Sequence, residues 1–172
     1  MSQASVVSGT QLTNALHVLG IRFILGGNDH DRSLHKQPAR LIAALASSRE
    51  SRLRLALIPL FLDHPEFAEY VRPVAASLNP SAQLTLQCYY SAAVWLQQKY
   101  RAQLKSNFGS KPSLPDYFSH ELGVKKSTDD PEYNLCMLAA RQQVLSGEKI
   151  NWLGTYQHAA QIWSRGLEIQ NA

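Results

Sequence analysis

The chain has 172 residues, the length of one domain, and its 45% hydrophobic and 17% charged residues exclude disorder and supercharging. Two cysteines, Cys88 and Cys136, exclude a disulfide scaffold and a cysteine-built zinc finger. The formal net charge is +4, from 17 Lys+Arg against 13 Asp+Glu.

In chain order, residues 1–9 are small and polar and are expected to fray. Ser8 or Thr10 caps a helix over about 10–19, which Gly20 stops. Ile21 to Leu25 is β-branched and aromatic and ends at Gly26-Gly27. It reads as a short strand near 21–25, or as an extended or helical continuation, since no second strand pairs with it. Residues 28–37 form a polar loop, and Pro38 opens a helix over 38–47. Ser48 caps the next, over 49–63, which is apolar all round after Arg54 and is expected to kink at Pro59. Pro65 opens a further helix that Pro73 bends or breaks.

Asn79-Pro80 repeats the cap-then-proline signal ahead of the longest helix, about 81–106. Residues 107–130 make a long irregular connection with a short helix over 115–121, of the kind that is functional or mobile. Asp130-Pro131 starts a helix that Gly147 ends, and a last helix spans about 150–168. The short helices between about 38 and 78 resemble, as a packing pattern, the helix pairs of HEAT-like repeats. The expected architecture is all-α: one compact domain, 1–172, of about six to eight helices. The 49–63 and 81–106 helices lie at its centre.

Chemistry-bearing residues are few. Asp29, His30, Asp31 and His35 sit close enough to suggest a divalent-metal site, and Asp63-His64 is a second Asp-His pair. Both clusters also read as turn and helix-terminus residues, which leaves the chain without a metal or cofactor. There is no G-x-S-x-G, no Walker lysine pattern and no G-x-G-x-x-G. The paired R-x₄₋₆-H of HEPN-type ribonucleases is also missing. No catalytic residue is assigned.

Charge is patterned along the chain. Residues 32–54 hold Arg32, Lys36, Arg40, Arg49, Arg52 and Arg54 against Glu50, a net +5. Residues 99–126 hold Lys99, Arg101, Lys105, Lys111, Lys125 and Lys126 against Asp116 and Glu121, a net +4. Such clusters suit phosphate backbones or an acidic protein partner. Adjacent Tyr89 and Tyr90 cannot share one helix face, and Trp95 lies off the main stripe. Tyr90 and Trp95 are therefore candidate interface aromatics, exposed or packed against another chain, which a second copy also fits, and packing within the chain's own core is the other reading of the aromatic set.

No Lys or Arg falls in the first 21 residues, so the positive region of a secretory signal is missing. The longest apolar run, Leu55 to Leu62, falls well short of the about 20 residues of a membrane span. The expected protein is cytoplasmic and non-enzymatic, an adaptor or regulator that binds another protein. The partner subunit of a toxin–antitoxin or nucleotidyltransferase-type system has this character. Nucleic-acid binding through the two basic stretches is the alternative, and a metal-dependent hydrolase the third.

Overall fold

Cap residues and prolines set the helix boundaries. Ser8 opens α1 (Gly9–Val18): its hydroxyl accepts from the Gln11 amide, and the Gln11 side chain accepts from the Ser8 amide. Gly20 follows at φ +83°, left-handed, where a side chain would be strained. The computed structural model describes residues 6–21, 33–103 and 111–170, and every regular element among them is helical. The all-α expectation holds. The strand expected near 21–25 lies outside the described residues, except for Ile21, which is buried and not in a regular element.

Pro38 is the first residue of α2 (Pro38–Ser47), as the sequence predicts. The helix expected over 49–63 is instead two, α3 (Ser51–Leu55) and α4 (Leu57–Asp63), which meet at Ala56. The reason is local. A proline at 59 has no N–H to offer the Leu55 carbonyl, so the chain breaks one turn earlier. Pro59 then occupies the third position of α4, where a missing donor costs nothing. Pro73 sits likewise at the third position of α5 (Val71–Ser77), which a 3₁₀ segment, Pro65–Tyr70, precedes.

α6 (Pro80–Gln103) is the axis. Its start is capped by Asn79, whose side-chain oxygen accepts from the Ala82 amide at 2.9 Å. Every residue from Cys88 to Gln97 is buried, as a helix enclosed on all sides requires. α2, α4 and α5 pack on one part of its surface. α7 (Ser119–Leu122), α8 (Pro131–Ser146) and α9 (Trp152–Gln170) cover the rest. α8 is capped by Asp130, which accepts from the Tyr133 amide, and ends at Gly147, φ +71°.

Tyr90 and Trp95 are corrected by this packing. Tyr90 is 0% and Trp95 2% exposed, so neither faces a partner. The Tyr90 ring meets Phe61 edge-on at 5.1 Å and stacks on Tyr117 at 5.4 Å. Because α6 is enclosed all round, off-stripe aromatics are buried as thoroughly as those on the stripe.

The connection before α8 is not a loose loop over its described part. Gln97, 2% exposed, donates from its amide nitrogen to the Pro112 carbonyl at 3.0 Å and accepts from the Leu114 amide at 2.7 Å. The Tyr90 hydroxyl donates to the Pro115 carbonyl at 2.7 Å. Buried polar groups need partners, and here they fasten residues 112–115 across α6 like a strap.

Leu57 is fully buried in the α4–α6 interface, so Leu57→Asp buries an unpaired charge and is expected to abolish cooperative folding. Pro59→Ala, at a position that needs no N–H, is expected to fold with its Tm within about 3 °C of the parent. Thermal unfolding by circular dichroism checks both; a cooperative melt of Leu57→Asp would show the core to be misplaced.

Candidate functional site

The Asp-His pairs come first. Asp29, His30 and Asp31 lie outside the described residues. His35 belongs to a 3₁₀ turn, Leu34–Lys36. Asp63 and His64 end α4 and point to different partners. Asp63 accepts from the Trp163 indole N–H at 2.8 Å, tying α4 to α9. The His64 Nε2 hydrogen bonds to the Leu19 carbonyl at 2.8 Å, and its Nδ1 faces Glu66 at 3.1 Å. His64 therefore joins the end of α1 to the end of α4. No cluster of metal-binding side chains occurs among the described residues.

The cations of the two basic windows are engaged at different places in the fold. Lys99 pairs with Glu132 in the first turn of α8 at 2.7 Å. Arg101 donates to the Lys111 carbonyl at 2.7 Å and to the Ser113 hydroxyl. Lys111 donates to the Asp63 carbonyl at 3.0 Å, and Lys126 bonds Asp116 at 2.6 Å. Most of this window therefore fastens residues 111–126 to the helices. Lys125 is exposed, and Lys105 lies outside the described residues.

In the other window Arg40 and Arg49 are exposed, and Arg52 pairs with Glu50 at 2.8 Å. Arg54 donates to the Ser48 carbonyl at 2.8 Å, and its charge acts on the Tyr89 hydroxyl. Tyr89 and Lys99 lie ten residues apart on α6, about 15 Å along its axis. Arg54 thus works beside one stretch of α6 and Lys99 beside another.

Arg52 and Arg54 border the feature that sequence reasoning did not find. A groove of about 1350 Å³ runs between α3, the first turns of α6 and the α8–α9 turn. Its wall includes the starts of two long helices, at Pro80 of α6 and at Asn151–Trp152 before and in α9. Helix starts carry partial positive charge, but the ends of α2 at Ser47 and of α8 at Ser146 lie on the same wall and carry partial negative charge, so both signs meet there. Glu148 lies on the rim as the opposing charge.

The groove is also partly apolar. Leu145 and Ile150 line it and are 43% and 44% exposed, with Val144 beside them at 68%. These three are half of the large exposed hydrophobics among the described residues, gathered on one turn. Leu145 lies seven residues after buried Leu138 and three after buried Gln142, so it continues the inward stripe of α8 but lines the groove. A stripe that runs past its own helix partner was the available signal.

Tyr89 lines the groove while being 5% exposed. Its ring meets Tyr156 edge-on at 6.3 Å. Burial pushes its hydroxyl up to about 12, with Arg54 pulling the other way. It is thus a neutral donor at physiological pH. The neighbouring thiol of Cys88 is likewise pushed up to about 12 by burial and is inert. What this arrangement can do chemically is receive apolar side chains beside a rim that holds charges of both signs.

Two aspartates respond to pH with opposite sign. Burial raises the Asp63 carboxyl above its ordinary value, against the lowering effects of Trp163, Lys111 and His64. It therefore favours the fold as the pH falls into its titration and costs stability above it. Burial also acts to raise Asp116, but the Lys126 and Ser119 hydrogen bonds hold it below its ordinary value of 3.8. Its contribution is present above that value and is lost as the pH falls further. At pH 7, Asp63→Asn is expected to melt no lower than the parent, since the amide oxygen still accepts from Trp163. Asp63→Leu orphans that N–H and should lose about 1–3 kcal/mol. Asp116→Asn should lose about 0.5–1 kcal/mol at pH 7 and progressively less below pH 4. Melting curves from pH 3 to 7 check all three, and a clear drop for Asp63→Asn at pH 7 would contradict the sign given for Asp63.

No family model matches this chain, and neither a curated protein nor a solved structure does.

Proposed function

We propose that this chain is a non-enzymatic cytoplasmic binding module, an adaptor or regulator that engages another protein through the α8–α9 turn and the groove beside it. The observation that carries the reading is the clustering of Val144, Leu145 and Ile150 at one turn, against a groove with two arginines on its wall. Contiguous exposed apolar residues with a polar, charged rim are the composition of a protein interface. The groove exceeds the roughly 300–1,000 Å³ of small-molecule pockets, which suits a peptide segment better than a metabolite. The nucleic-acid reading has less support, because Lys99, Arg101, Lys111 and Lys126 are engaged by acceptors of the chain itself. No helix among the described residues is long and apolar enough to cross a membrane.

The test is a parallel affinity purification from the native host of the tagged chain and its Val144→Ser, Leu145→Ser, Ile150→Ser triple variant. The expected outcome is a protein recovered in near-stoichiometric amount with the parent and lost with the variant. Equal recovery by both, or recovery of nucleic acid alone, would overturn the reading.

A further inference from the structure

We draw no further inference here: the strongest candidate, the exposed face of α8 that runs from Tyr133 through Cys136 and Ala140 to Val144, is an apolar helix surface, and nothing in the structure shows what covers it.

Discussion

The structure depends on how two polar groups buried in α6, the Gln97 amide and the Tyr90 hydroxyl, are satisfied. A helix enclosed from Cys88 to Gln97 would be simplest if purely apolar, but Tyr90, Ser91 and Gln97 bring polar groups into it, and of these the Ser91 hydroxyl has no hydrogen-bond partner among the described residues. Each unmet buried group costs roughly 1–3 kcal/mol. Gln97 meets that cost by pairing with the Pro112 carbonyl and the Leu114 amide, and Tyr90 with the Pro115 carbonyl. Backbone that would otherwise need a helix or sheet of its own is satisfied by α6 instead. Arg101 and Lys111 then secure the same stretch from outside.

This constraint organises the charge as well. The cations of residues 99–126 mainly hold the strap and the start of α8, and so belong to the fold. Arg52 and Arg54 lie elsewhere, beside a groove. A mild overall excess of +4 thus includes a share that the fold itself engages.

Much of the helical pattern was legible because its signals are local. Ser8, Gly20, Pro38, Asn79-Pro80, Asp130-Pro131 and Gly147 each act within a few residues, and each marks a helix end in the structure. The break at Ala56 was misplaced because a proline's effect depends on whether the chain bends at it or restarts before it. That choice belongs to the packing of α4 on α6. For Tyr90 and Trp95 the core reading holds and the interface reading fails, because a stripe argument assumes one buried face, whereas α6 has none exposed over that stretch. The groove was hidden for a further reason: α3, the start of α6 and the α8–α9 turn come together from distant parts of the sequence, and no spacing rule joins Arg54 to Tyr89 or Ile150.

The most direct measurement of the central constraint is amide hydrogen exchange at Leu114 by NMR. That amide lies outside any helix, so ordinary loop behaviour would leave it unprotected. With Gln97 holding it at 2.7 Å in the interior, its protection should match that of the α6 backbone between Cys88 and Gln97 and open only with global unfolding. Exchange at the rate of an unstructured peptide would contradict the strap and the role given to α6.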